Sequence, residues 1–201
     1  MFTIGITGGT GAGKTSALRA LRAFGAFILD CDALYHDLLA GDEDLKAELG
    51  NRFEGVLRDG AIDRTLLGNI VFADPSALRD LNAITHKYIS AEIERRLAEW
   101  EAGGGKIAAI DAIALIESSR SKKCDAVVGI VAPAETRILR IMKRDGITRE
   151  QAEMRVNAQK PDSFFRENCD YILENTFGAS DEFRKYCKEF FAKLIEENKN
   201  A

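Results

Sequence analysis

The sequence predicts an α/β fold: a five-stranded parallel sheet with helices on both faces. Short apolar runs alternate along the chain with longer helical patterns. These runs lack the polar alternation of a sheet with one wet face, so they suit strands covered on both sides. The bulk composition allows such a core, because 201 residues at 46% hydrophobic and 30% charged form one sizeable domain.

Taken in order, Phe2–Ile6 ("FTIGI") is the first strand, and Lys14–Phe24 places Ala17, Leu18, Leu21 and Phe24 on one helical face. Ala26–Asp30 is the second strand. Lys106–Asp111 is the third, launched by the turn Gly103–Gly105. Asp125–Val131 is the fourth and Tyr171–Leu173 a short fifth. About 41–103 is almost all helical pattern with no good strand, with Asp74 as N-cap, Pro75 in the first turn, and glycines at its end. It reads as a helical insertion that binds a second substrate. About 143–168 is polar and rich in Arg, Glu and Gln, and reads as a lid hairpin. Ser180–Lys199 is one amphipathic helix, with Phe183, Cys187, Phe190, Phe191 and Leu194 on its apolar side. The whole chain, 1–201, forms one domain carrying these two additions.

Charge and composition exclude several classes of function. A net charge of −4 gives no broad basic surface for nucleic acid. No apolar run approaches a membrane span, and Met1–Thr7 reads as a strand rather than a signal peptide. Cys31, Cys124, Cys169 and Cys187 form no CxxC pair, so they read as free, partly buried thiols in a reducing cytoplasm. A monomer or weak homo-oligomer is expected.

The chemistry sits in Gly8–Thr15, which fits G-x-x-x-x-G-K-[ST], with a strand before it and a helix after it. Glycines let backbone N–H groups converge on phosphate oxygens, and the following helix adds the positive end of its dipole. Gly9, Thr10, Gly11, Ala12, Gly13, Lys14, Thr15 and Ser16 therefore read as an ATP cradle. Lys14 reaches the β- and γ-phosphates, and the Thr15 hydroxyl ligates Mg²⁺. The guanine-reading NKxD, the DxxG of a GTPase switch and the LSGGQ of a transporter ATPase do not occur. A small-molecule kinase of the P-loop type remains.

Carboxylates follow the strands. Asp30 and Asp32 lie at the end of the second strand, where strand spacing faces them to the same side and helix capping competes as a role. Asp32 is the better candidate to orient an acceptor hydroxyl and take its proton. Asp111 ends the third strand and suits Mg²⁺ held through water, with capping of a following helix as the structural alternative.

These residues together resemble the dephospho-coenzyme A kinase family. The resemblance is carried by Thr7–Thr15, the D-x-D of Asp30–Asp32, and Gly60–Phe72 ("GAIDRTLLGNIVF"). It continues through Leu81, Ile84 and His86, then Arg140–Gln159, and finally Cys169–Gly178. It implies transfer of the ATP γ-phosphate to the 3′-hydroxyl of dephospho-coenzyme A. Lys14, Asp32, Arg140 and Arg144 would be catalytic, with Asn175 near the adenine. Thr7, Asp32, His86, Lys87 and Glu117 would lie on the acceptor side. The chain departs from the family pattern at His86-Lys87, usually His-Pro, and at Ala112–Glu117, usually P-L-L-[FY]-E. Another P-loop kinase with a nucleotide-like or shikimate-like acceptor, and a nucleotide- or coenzyme-A-binding regulator without transfer activity, remain alternative readings.

Overall fold

The computed structural model describes residues 1–199. Its strands β1 (Phe2–Gly8), β2 (Phe27–Asp30), β5 (Ile107–Asp111), β6 (Ala126–Val131) and β7 (Tyr171–Glu174) form a sheet in the order β2-β5-β1-β6-β7. The pairs β1–β5, β1–β6 and β6–β7 are parallel, as the near-continuous apolar runs predict. Two further strands, β3 (Leu57–Arg58) and β4 (Ala61–Ile62), form a separate antiparallel hairpin. The helices are α1 (Lys14–Arg22), α2 (Cys31–Gly41), α3 (Glu43–Arg52), α4 (Arg64–Ala73), α5 (Pro75–Ala102), α6 (Ala134–Asp145), α7 (Arg149–Asn157), α8 (Asp162–Asn168) and α9 (Ser180–Lys199).

The chain divides into two compact units, 1–29 with 103–201 and Asp30–Ala102. In the first, Ile4, Ile6, Ala109, Val128, Ile130 and Leu173 of the sheet bury against Ala17, Ala20 and Leu21 of α1. Phe183, Cys187, Phe191 and Leu194 of α9 complete that core. These are the apolar positions of the amphipathic tail, with Phe190 only partly buried. Ile138 and Ile141 of α6 pack separately against Ala152 and Val156 of α7.

In the second unit, α2, α3 and α4 each pack on α5. Leu34, Leu45, Leu49, Phe53, Leu67 and Ile93 are buried there. Each helix start is marked by an aspartate. Asp30 accepts from Asp32 N and Ala33 N, Asp42 from Leu45 N, and Asp63 from Leu66 N. Asp74 accepts from Ser76 N at the start of α5, which begins at Pro75 as its sequence predicts.

Three sequence expectations need correction. The stretch 41–103 does contain strands, the two-residue pair β3–β4, turned by Asp59 (φ 50°) and Gly60 (φ 75°). An Asp-Gly turn with both residues at positive φ is a preferred hairpin connection, and strands of two residues carry no readable periodicity. Asp32 does not continue the strand beside Asp30; it sits in the first turn of α2, and Asp30 is the N-cap. A helix after Asp111 does not form, because 113–119 is a run of turns. The segment 143–168 comprises the end of α6, then α7 and α8.

Candidate active site

The loop between β1 and α1 lies entirely in the first unit, in the middle of its sheet. Gly13 has φ 115°, a region open to glycine, and an added Cβ there would collide with Asn175 Nδ2. At Gly9 an added Cβ would run into the Arg137 guanidinium. Neighbouring side chains thus crowd two of the loop's glycines, which the sequence motif alone does not reveal.

The loop's carbonyls are held from outside by side chains. Arg140 donates to Gly11 O (3.2 Å) and Ala12 O (3.4 Å) through Nη1, and to Asn175 Oδ1 (3.2 Å) and Phe177 O (3.1 Å) through Nη2. Asn175 is buried and donates to Ala12 O at 2.8 Å. It holds this position because it directly follows β7, with its own N–H on Val131 O. Arg140 and Asn175, two predicted site residues, therefore meet at the loop. Burial pushes the guanidinium pKa of Arg140 below its ordinary value.

Lys14 Nζ donates to Gly8 O at 2.8 Å, which carries the ammonium back across the loop. Ser16 N donates to Gly13 O, closing the first turn of α1. Ala12 is buried, Thr10 half-buried, and the Thr15 side chain exposed. Thr7 is fully buried, and its hydroxyl donates to Ile113 O (3.1 Å), tying the 113–119 turns to β1. Asp111 pairs in register with Ile6 at the end of β5, the strand next to β1. Its Oδ1 atom is enclosed from solvent.

Thr15 and Asp111 are both hard oxygen donors, the type Mg²⁺ prefers. No group of three or more His, Cys, Asp or Glu residues able to hold a metal occurs among the described residues. The donor set therefore fits an ion that keeps several waters and leans on phosphate oxygens.

A cavity of about 320 Å³ opens beside Gly9, lined in part by Ile113, Glu117, Gln159, Lys160 and Phe165. Glu117 is the predicted acceptor-side residue that reaches it. Arg144 instead makes a two-pronged ion pair with its neighbour Asp145 (2.6 and 2.9 Å). Asp32, His86 and Lys87 belong to the second unit, and all three are exposed. There Glu48 Oε2 accepts from Lys87 Nζ (3.0 Å) and the Tyr88 hydroxyl (2.7 Å), and these bonds lower the Glu48 pKa.

Sequence reasoning missed Arg137, which is only 4% exposed and donates to Thr10 O at 3.0 Å. It also passed over Gln159 as an individual residue. One signal was available, an arginine one turn before Arg140 on the same helix.

Burial pushes the Cys124 and Cys169 thiols up to about 11 and Cys187 to about 12. All three are free, Cys187 buried and the other two half-buried, as the sequence predicts.

The family profile described as Dephospho-CoA kinase matches residues 2–181. The dephospho-CoA kinase of Geobacter sulfurreducens is 37% identical over 195 residues, covering 96% of this chain and 98% of its own. That of Corynebacterium jeikeium is 36% identical, covering 88% and 91%. Among solved structures, TT1252 from Thermus thermophilus superposes with a TM-score of 0.79 at 30% identity, covering 96% of this chain and 97% of that one. A shikimate kinase from Acinetobacter baumannii shares the fold at a TM-score of 0.55 and 18% identity, covering 99% and 95%.

Proposed function

This chain belongs to the dephospho-CoA kinase family, and from that premise we propose how its own residues divide the work of moving the ATP γ-phosphoryl group to the 3′-hydroxyl of dephospho-CoA. The observation that carries this reading is the phosphate loop, tied through three of its carbonyls to side chains of α6 and the β7 end. Phosphoryl transfer asks the protein mainly for positioning and charge, and the loop supplies both.

ATP binds with its phosphates along Gly9–Ser16. Lys14 swings from Gly8 O to meet the charge on the transferring group. Arg140 holds the second half of the loop and adds positive charge behind it. Asn175 lies toward the adenine, and Arg144 serves the phosphates from the end of α6. Mg²⁺, when bound, would be held by the Thr15 hydroxyl and, through water, by Asp111, and would supply charge neutralisation at the phosphates.

Asp32 aligns the acceptor hydroxyl and takes its proton as the hydroxyl oxygen attacks phosphorus. Asp30 is occupied as the α2 cap, which favours Asp32 for this role. The α2–α5 unit binds the acceptor, using His86 and Lys87, while Thr7 and Glu117 shape the side of the loop that receives it. The segment 143–168 acts as the lid over ATP. The enzyme works as a monomer or weak homo-oligomer in the cytoplasm; no helix among the described residues is long and apolar enough to cross a membrane.

The test is ADP release by purified protein with Mg²⁺ and ATP, with and without dephospho-CoA. Release should depend on dephospho-CoA, the 3′-deoxy analogue should bind without being phosphorylated, and AMP, CMP and shikimate should be poor acceptors. Faster phosphorylation of any of these three than of dephospho-CoA would sink the reading.

A further inference from the structure

Thr10 is gripped from two sides by residues that the phosphate-loop motif does not include. Gln159, in the connection between α7 and α8, accepts from Thr10 N at 2.8 Å and donates to Thr10 Oγ1 at 2.7 Å. Arg137 of α6 donates from Nε to Thr10 O (3.0 Å) and from Nη2 to Gln159 Oε1 (2.5 Å). The N–H, carbonyl and hydroxyl of one loop residue are thus all engaged by two side chains that also bond each other.

Peptide geometry gives this grip a consequence. In a trans peptide the C=O and the following N–H point in opposite directions. Fastening Thr10 O on Arg137 therefore turns the Gly11 N–H toward the other side of the loop. Arg140 and Asn175 act on Gly13 N–H in the same way through Ala12 O. Arg137 also sets how closely α6 approaches: its guanidinium lies against Gly9, and its backbone O would be 2.8 Å from a Cβ on Gly11. Asp162 Oδ1 stands 3.9 Å from Arg137 Nη1, beyond hydrogen-bond reach. A guanidinium buried mostly among neutral acceptors is costly, and its field falls on the loop.

We propose, on the footing that this loop binds ATP, that Arg137 and Gln159 act as one unit of positioning residues, setting the Thr10–Gly11 peptides for phosphate and linking the loop to the α7–α8 segment. Neither needs to touch the nucleotide. Arg137 offers a two-acceptor fork, and a lysine cannot reproduce it.

The experiment compares wild type, Gln159→Leu, Arg137→Lys and the double variant. The readouts are ATP affinity by titration calorimetry without acceptor, kcat and KM with dephospho-CoA, amide exchange at Thr10, and the urea midpoint. Gln159→Leu, the variant less exposed to folding failure, should weaken ATP binding about tenfold and speed Thr10 exchange at an unchanged midpoint. Arg137→Lys keeps the charge yet should lose a similar factor. The double variant should be no worse than about tenfold, because the two act together. Lys188→Ala, on the exposed face of α9, should match wild type in every readout. Unaltered ATP affinity in Gln159→Leu, a multiplicative loss of about a hundredfold in the double variant, or a loss that merely follows a lowered urea midpoint would each overturn the proposal. Wild type that binds ATP without phosphorylating dephospho-CoA would overturn the acceptor assignment and leave this one standing.

Discussion

Arginine is used differently around the phosphate loop and in the α2–α5 unit. Around the loop, Arg137 and Arg140 are inside the fold and donate to backbone carbonyls and neutral amides; burial lowers both their pKa values. In the α2–α5 unit, Arg52 pairs with Asp80, and Arg95 and Arg96 both pair with Glu92. The first pattern makes geometry, because the bonds to Thr10 O, Gly11 O and Ala12 O fix the direction of loop peptides. The second makes modest local stability, since exposed pairs contribute little and salt screens them. The thiols sharpen the contrast, because Cys124, Cys169 and Cys187 all lie in the first unit. The two units should therefore fail under different insults and for different reasons.

The largest break comes from Lys14→Ala. Turnover should fall about 10²–10³-fold with weaker ATP binding, because a donor to the transferring group is gone. Steady-state kinetics check it, and a variant keeping half of wild-type activity would remove the loop from the mechanism. Asp32→Asn, in the other unit, should cost on the order of 10² in turnover with ATP affinity intact. Asn satisfies the same local backbone preferences, so the fold should survive. Measuring both quantities on one preparation decides, since normal turnover with poor ATP binding would contradict the role.

Gly13→Ala tests whether protein as well as phosphate demands that glycine. The added Cβ meets Asn175 at a backbone conformation that alanine resists, so urea unfolding should show a loss of roughly 2 kcal/mol or more, with or without nucleotide. A stable variant that only binds ATP poorly would return the glycine to phosphate alone. Asp30→Ala should destabilise by about 1 kcal/mol through the lost α2 cap, while Asp30→Asn stays near wild type. Equal losses in the two variants would contradict the capping role.

The smallest effects separate the units by pH. Bonds from Arg95 hold the Glu92 carboxyl down at about 2. A depressed carboxylate stabilises the fold above its unfolded value near 4.5, and that contribution is lost as pH falls toward 2. The raised thiols act in the opposite sense. Their contribution is whole below the ordinary thiol value of 9 and disappears as pH rises through about 11 to 12. Trp100, the one tryptophan, lies on α5 and reports the second unit. Its fluorescence should respond to acid before amide exchange in the sheet does, and Glu92→Gln should flatten part of that acid response. Simultaneous loss of both signals would erase the distinction.

All five strands of the sheet were legible in the sequence, since buried parallel strands read as apolar runs. The loop was legible because its chemistry demands a fixed spacing. The β3–β4 hairpin was not, although "RDGA" carried its turn signal, because two-residue strands have no period. The choice between Asp30 and Asp32 as cap turned on where a strand ends, the least readable feature of a sequence. Arg137 and Gln159 were hidden for another reason. They lie over a hundred residues from Thr10 in the chain, and two of their three bonds to it go to backbone atoms, which leave no trace in residue identity.

The strand order has a kinetic consequence. β2 is an edge strand whose hydrogen-bonded neighbour is β5, and the whole of 31–106 lies between them. Closing a connection of that length costs chain entropy before any contact rewards it, although each doubling adds only about 0.6 kcal/mol. Docking β2 on β5 closes that span, and β1 closes longer ones, pairing Phe2 with Ile107 and Ile4 with Ala126. On a ribosome, β2 emerges well before β5, its neighbour in the sheet. β1 also waits, since both its neighbours, β5 and β6, come later in the chain. The nucleotide loop, among the first residues made, would then be among the last to acquire its shape, because α6 and the β7 end that hold it are synthesised after nearly two-thirds of the chain.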